Sequence, residues 1–387
     1  MEIRKSEKLE KLPPYLFAEI DRKKTELIEQ GKDIISFGVG DPDIPTPKEI
    51  VDEMKKAVEK PQFHQYPFGR GLREFRIAVS QWYRQRFNVE LDPDEEIHAL
   101  IGSKEGIGHL LLGILNPGDV VLVPSPGYPV YCGATILAGG EVFRMPLLEE
   151  NNFLPDLDSI PDEILKKAKL MFINYPNNPT GVCADKEFYK KVVEFALKNS
   201  IIIASDNAYS EIYFHEKPKS LLEVESAKEV GIEFHSLSKT FNMTGWRIGW
   251  VCGNKKVVKI LAQVKDNYDS GVFSAIQKTG IFALKNSEKF SQQNREIWLK
   301  RRDVLCEGLK RCGFDVRVPS ATFYVWMRVP QGYTSQSFCE KLLTEAYIVA
   351  TPGNGFGAEG EGFVRFAFTV SEERIAEAIE RIRRLKW

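Results

Sequence analysis

Along the middle of the chain, apolar residues gather in short runs at 96–101, 120–123, 170–173, 201–204, 233–236 and 248–251, each set off by turn-forming residues. A strand with one wet face alternates apolar and polar positions. A run without that alternation predicts a strand covered on both faces, and most of these runs are of that kind. Between the runs the period changes. Ile107, Leu110, Leu111 and Ile114 recur at helical spacing after Ser103, which is placed to cap their helix. Phe188, Val192, Phe195 and Ala196 do the same within 186–198. This alternation predicts an α/β fold whose large domain holds a mostly parallel sheet flanked by helices. Nearer the start, residues 15–30 read as an amphipathic helix closed by Gly31. Thr46 and Pro47 read as a helix start, Thr46 as cap and Pro47 as first helical residue. The region beyond 290 mixes long helices with short strands and closes on a helix carrying Ile375, Ala378, Ile379 and Ile382. The expected division is an N-terminal arm and part of a small domain over 1–44, a large domain over 45–290, and a small α+β domain completed by 291–387.

Composition narrows the function classes. A chain of 387 residues that is 43% hydrophobic can bury a substantial core in two domains. A formal net charge of −1 argues against a dedicated binder of nucleic acid or anionic membrane. No apolar run approaches the roughly eighteen residues of a membrane span. The charged opening, Met1 to Lys8, lacks a signal peptide's apolar stretch, so a cytoplasmic protein is expected. Cys132, Cys183, Cys252, Cys306, Cys312 and Cys339 form no C-x-x-C pair, and the five histidines show no ligand spacing, so no metal site is expected.

In open α/β sheets ligands collect beyond the carboxyl ends of the strands, and the distinctive residues of this chain follow the apolar runs. Gly102-Ser103-Lys104-Glu105-Gly106 opens a helix whose N–H groups favour an anion; an ordinary capped helix is the bland alternative. Tyr128, held between prolines, could stack on a planar ring, or could belong to a turn with core tyrosines. Asn178 offers an amide donor from the turn 174–181. Asp206 ends a buried run, where a carboxylate needs a cationic partner such as a protonated pyridine nitrogen, unless it caps a helix. Tyr209 could join Asn178 in donating to that ring's phenolate oxygen. The segment 236–250 holds the most unusual chemistry. Ser236, Ser238 and Arg247 can hold a phosphate and leave the Lys239 amine as a nucleophile; a basic surface loop is the alternative. A lysine nucleophile serves a carbonyl, and a phosphate-bearing aldehyde is pyridoxal phosphate. The succession of these residues at strand ends is far more specific than any one of them.

With these residues in place, the chain resembles, over nearly its whole length, the fold-type I pyridoxal phosphate enzymes of the class I/II aminotransferase family, whose fold is that of aspartate aminotransferase. The resemblance implies that Lys239 carries the cofactor and then acts as general acid and base. Asp206 would pair with the pyridinium nitrogen, Tyr209 and Asn178 would hold the phenolate oxygen, and Tyr128 would stack on the ring. Ser103, Lys104, Ser236, Ser238 and Arg247 would bind the phosphate. Tyr66, in Gln65-Tyr66-Pro67-Phe68-Gly69-Arg70-Gly71, matches a tyrosine that reaches the neighbouring subunit's phosphate, which implies a homodimer. Arg365, in Phe363-Val364-Arg365-Phe366, matches the arginine that grips a substrate α-carboxylate, with Gly40 at the same carboxylate.

Within the family the chain is most similar to LL-diaminopimelate aminotransferases. Leu12-Pro13-Pro14-Tyr15, Gly102-Ser103-Lys104-Glu105-Gly106, Ser205-Asp206-Asn207-Ala208-Tyr209, the segment 235–247 and Thr351-Pro352-Gly353-Asn354-Gly355-Phe356-Gly357 carry this likeness. It implies that Tyr15, Lys104, Tyr128 and Asn178 also face the substrate. The implied reaction is ping-pong transfer of an amino group from LL-diaminopimelate to 2-oxoglutarate, in lysine biosynthesis. Two places depart from the pattern. Some members carry a glutamate shortly after the tyrosine, where this chain has Gly69. Their substrate-binding asparagine after the lysine loop has no counterpart within 270–275. A broader alanine, aspartate or aromatic aminotransferase and a C–S β-lyase therefore remain as alternatives. A non-catalytic ligand sensor on this fold is the remote one.

Overall fold

The computed structural model describes residues 3–13 and 16–387. In chain order its strands are β1 (Ile35–Ser36), β2 (Ile97–Leu100), β3 (Val120–Ser125), β4 (Glu141–Pro146), β5 (Ala168–Ile173), β6 (Ile202–Asp206), β7 (Gly231–Ser236), β8 (Gly249–Gly253), β9 (Tyr324–Arg328), β10 (Ile348–Val349), β11 (Thr351–Pro352) and β12 (Phe363–Ala367). Seven of them form one sheet in the order β2-β8-β7-β6-β5-β3-β4, in which β8 alone runs against its neighbours.

The unbroken apolar runs have the expected cause: successive residues point into two different cores. Leu122, Met171, Ile173 and Ile203 enter one. Val121, Val123, Leu170, Phe172, Ala204 and Phe234 enter the other. The helices Ser103–Ile114 and Lys255–Tyr268 close the second core with Leu110, Leu111, Val258 and Leu261. Arg73–Phe87, Lys186–Asn199 and Ser274–Lys285 close the first with Phe75, Val79, Phe188, Val192 and Leu284. Asp185 caps the middle one, its side chain accepting from the Phe188 N–H at 2.8 Å.

A third core gathers both ends of the chain. Ile35 and Phe37 pack there with Trp298, Leu305 and Leu309 of the helix Ser287–Arg311, and with Ile375 and Ile379 of the helix Glu372–Arg383. Its sheet is β11-β12-β9, all antiparallel, beside a parallel pair of β1 and β10.

Two local expectations are revised, and one strand was not expected. The helix expected after Thr46 starts at Lys48, with Pro47 in the cap position and no side-chain cap. The Thr46 hydroxyl instead donates to the Asn242 carbonyl at 2.7 Å. Ser103 is the first residue of its helix rather than the cap, which is Gly102 at φ +77°. The edge strand β4 went unforeseen because Glu141 and Arg144 break its apolar pattern, as suits an edge that must not recruit another strand.

Candidate active site

The carboxyl ends of the parallel strands and the start of β8 share one edge of the sheet. A cavity of about 390 Å³ opens there, lined by Gly40, Ser103, Lys104, Tyr128, Asn178, Asp206, Tyr209, Ser236, Ser238, Lys239, Arg247 and Arg365. Residues expected from seven separate stretches of sequence thus meet in one place. Tyr66 does not join them within the chain. It is 76% exposed beside Phe68, their rings 5.5 Å apart. Tyr15 lies outside the described residues.

Asp206 is the last residue of β6, and no helix follows for it to cap. The Tyr131 hydroxyl donates to its Oδ2 at 2.8 Å, and its backbone carbonyl accepts from the Asn174 amide at 2.7 Å. Burial pushes the carboxyl up to about 6, while the Tyr131 hydrogen bond and the positive side of His235 pull it down. His235 itself stacks on Trp250, centroids 5.0 Å apart, and contacts Glu233 at 3.0 Å.

Lys239 sits on the one-turn helix Leu237–Thr240 between β7 and β8. Its half-buried side chain donates through Nζ to the Gly40 carbonyl at 2.9 Å. The amine is depressed to about 8: burial is the largest cause, Asp41 opposes it, and the charges of Arg247 and Arg365 add to it. At pH 7 that leaves roughly 300-fold more neutral amine than an ordinary lysine has. Capture of pyridoxal phosphate by the apoprotein should therefore accelerate with rising pH and level off above about 8. Stopped-flow absorbance would check this; continued acceleration to the usual lysine range would show an unperturbed amine.

Arg247 ends the turn Thr244–Trp246 in a left-handed conformation, φ +56°, and its Nη1 donates to the Thr244 carbonyl at 2.8 Å. Gly102 lies against it. A Cβ there would stand 2.4 Å from Arg247 Nη2, at a backbone angle that already favours glycine. Gly102→Ala should displace the guanidinium and weaken pyridoxal phosphate binding about tenfold or more, readable by equilibrium titration. Unchanged affinity would remove Arg247 from the phosphate site.

Arg365, 1% exposed in the middle of β12, donates to Asn178 Oδ1 at 2.8 Å and to the Gly38 carbonyl at 2.6 Å. An arginine N–H can face only the oxygen of the amide, so this contact turns the Asn178 NH2 group outward as a donor. The Tyr209 hydroxyl lies 2.9 Å from that of Tyr324, and the Tyr128 ring meets Tyr131 edge-on at 5.6 Å.

Sequence reasoning missed Tyr131 and Tyr324. Tyr131 follows Tyr128 by three residues at the start of the helix Val130–Ala138, a spacing that could have paired them. Tyr324 lies in an apolar strand and gave no signal. Glu105 and His109, a turn apart on the helix Ser103–Ile114, converge with Asp269. The buried ammonium of Lys265 already pairs with both carboxylates, 2.8 Å from each.

Among the described residues, Asp206 Oδ1 and Ser238 Oγ are buried on this cavity without a hydrogen-bond partner. Leaving such groups unsatisfied costs about 1–3 kcal/mol each, so they signal a complementary ligand. A cationic ring nitrogen would satisfy the carboxylate oxygen, and a phosphate would accept from the serine. The N–H groups opening the helix Ser103–Ile114 and the Arg247 guanidinium favour the same anion. The residues present fit pyridoxal phosphate.

The sequence profile of class I and II aminotransferases matches residues 32–382. The chain is 56% identical to an LL-diaminopimelate aminotransferase of Aquifex aeolicus over 98% of its own length and 99% of the relative's. It is 54% identical to one of Syntrophobacter fumaroxidans, over 99% of both. Among solved structures, substrate-bound BacF of Bacillus subtilis superposes with a TM-score of 0.95 at 38% identity, over 99% of this chain and 98% of that one. A single mutant of Thermus thermophilus aspartate aminotransferase gives 0.92 at 31%, over 99% and 100%. The chain belongs to the class I and II aminotransferase family. It is a pyridoxal phosphate-dependent transaminase with the aspartate-aminotransferase fold.

Proposed function

We propose that this enzyme moves an amino group between LL-diaminopimelate and 2-oxoglutarate, in lysine biosynthesis. Full-length identity of 56% to an enzyme of that name carries the choice of substrate. The convergence of Lys239, Asp206 and Arg365 on one cavity carries the chemistry. When bound, the cofactor supplies an electrophilic carbonyl carbon and a ring that accepts electron density. The rest falls to the chain. Arg365 grips the substrate α-carboxylate beside Gly40 and so aims the Cα–H bond. The depressed amine of Lys239 takes and returns the proton, and the Gly40 carbonyl holds that amine when it is not covalently engaged. Asp206 keeps the ring nitrogen protonated. Asn178 and Tyr209 donate to the ring oxygen, and Tyr128 covers the ring face. Ser103, Lys104, Ser236, Ser238 and Arg247 hold the phosphate.

The same reading makes 45–290 the cofactor-binding domain, 291–387 with the segment 1–44 the smaller one, and the enzyme a cytoplasmic homodimer. Tyr66, exposed on one protomer, would complete the phosphate site of its partner. No helix among the described residues is long and apolar enough to cross a membrane.

A broader aminotransferase is the second reading, favoured by one observation. Gly69, at φ +78° with open space where a Cβ would stand, offers no carboxylate for the substrate's distal ammonium. Glutamate formation from 2-oxoglutarate separates the two. LL-diaminopimelate should outpace alanine, aspartate and phenylalanine as donor by at least about tenfold in kcat/KM, the reverse order favouring the second reading. Pyruvate and ammonia released without an acceptor would indicate the β-lyase.

A further inference from the structure

Tyr324 lies at the centre of the site, yet neither the family resemblance nor the assigned roles employ it. It begins β9, opposite Ala367 of β12, which places it diagonal to Arg365 on the same face of the sheet. Its side chain is 2% exposed and touches three functional groups. The ring lies under the Arg365 guanidinium, 4.3 Å from the centroid. The hydroxyl lies 2.9 Å from that of Tyr209. It also occupies the place of a side chain at Gly40: a Cβ there would stand 2.0 Å from the Tyr324 oxygen. Gly40 is the residue whose carbonyl holds the Lys239 amine. One phenol thus touches the arginine, the tyrosine donor and the loop that carries the lysine's acceptor.

We propose that Tyr324 is a positioning residue that couples the carboxylate grip to the ring-oxygen donor: its hydroxyl donates to Tyr209, so that Tyr209 turns its own proton toward the cofactor's ring oxygen, and its ring braces Arg365.

Proton counting fixes the direction. Each phenol has one O–H. If Tyr209 donated to Tyr324, it would present lone pairs to an oxygen that carries negative charge. The reverse arrangement gives both the Tyr209 oxygen and the ring oxygen a donor. Burial raises both hydroxyls above the usual phenol range, Tyr209 further than Tyr324, which makes the less perturbed Tyr324 the better donor of the pair. The T-shaped meeting of the two tyrosine rings, 5.6 Å and 71°, and the missing side chain at Gly40 hold this geometry.

The inference rests on the roles proposed above for Tyr209 and Arg365, and its test separates the two levels. A donor on the ring oxygen competes with the proton on the lysine–cofactor nitrogen for that oxygen. Weakening the donor therefore raises the pH midpoint of the bound cofactor's absorbance change. Tyr324→Phe keeps the ring and removes the hydroxyl, so it should raise the midpoint by about 0.5–1 unit, the effect of one hydrogen bond, and leave KM for the amino acid within about twofold. Tyr324→Leu also removes the brace, and should raise KM about tenfold as well. Tyr209→Phe should raise the midpoint by at least as much as Tyr324→Phe, and adding Tyr324→Phe to it should change nothing further. A midpoint moved by Tyr209→Phe but not by Tyr324→Phe would overturn the coupling and leave the role of Tyr209 standing, as would fully additive shifts. A midpoint that Tyr209→Phe fails to move would overturn both.

Discussion

Lys239→Ala is expected to lower transamination by about five powers of ten or more while the protein still binds pyridoxal phosphate. In the proposed mechanism the amine has two tasks, covalent attachment and proton transfer at the substrate's Cα, and no other residue is assigned either of them. The Gly40 carbonyl that holds Nζ is not a base, and the arginines whose charges act on the amine, Arg247 and Arg365, do not give up protons at neutral pH. The phosphate and ring contacts expected from Ser238, Arg247 and Asp206 are untouched, so affinity should survive. Absorbance reads both results together: the bound cofactor should show the spectrum of a free aldehyde instead of a lysine adduct. A variant that kept the wild-type spectrum would place the covalent link on another lysine.

Asp206→Ala should cost about three to five powers of ten in the half-reaction with an amino acid. The carboxylate is buried and fixed by Tyr131 at 2.8 Å, with Oδ1 on the cavity. Removing it leaves the ring nitrogen facing apolar surroundings, where it gives up its proton and no longer draws electrons from Cα. Asp206→Asn should rank between the two, since its amide is neutral. Rapid-mixing absorbance measures the rate of cofactor conversion, and near-normal turnover in Asp206→Ala would show that the pairing lies elsewhere. In the apoprotein the same group acts on stability. Its folded pKa, about 6, exceeds the ordinary 3.8, so its contribution is fully present below about pH 4 and lost as pH rises through 6.

Fold class was legible because burial on both faces leaves a mark that a wet face does not. Val120 to Val123 and Leu170 to Ile173 are apolar at every position since each neighbour enters a different core. The direction of β8 left no such mark: a strand covered on both faces reads alike in either orientation. The site was legible for a related reason. Asp206, Asn178 and Lys239 are polar groups attached to apolar strands, where their burial has to be explained by a partner. Tyr131 and Tyr324 escaped notice because each looks at home in an apolar setting, and each meets its partner far along the chain, at Asp206 and Tyr209. Thr46 misled because a hydroxyl before a proline satisfies the rule for a cap equally well when it bonds to Asn242.

A single-turnover absorbance scan tests the central claim most directly. LL-diaminopimelate, glutamate, aspartate, alanine and phenylalanine are added one at a time to the loaded enzyme without an acceptor. The account predicts rapid loss of the cofactor's visible band with LL-diaminopimelate and with glutamate, and little response to the other three. Faster conversion by alanine, aspartate or phenylalanine would contradict the diaminopimelate assignment, and the absence of any such band after adding pyridoxal phosphate would contradict the whole account.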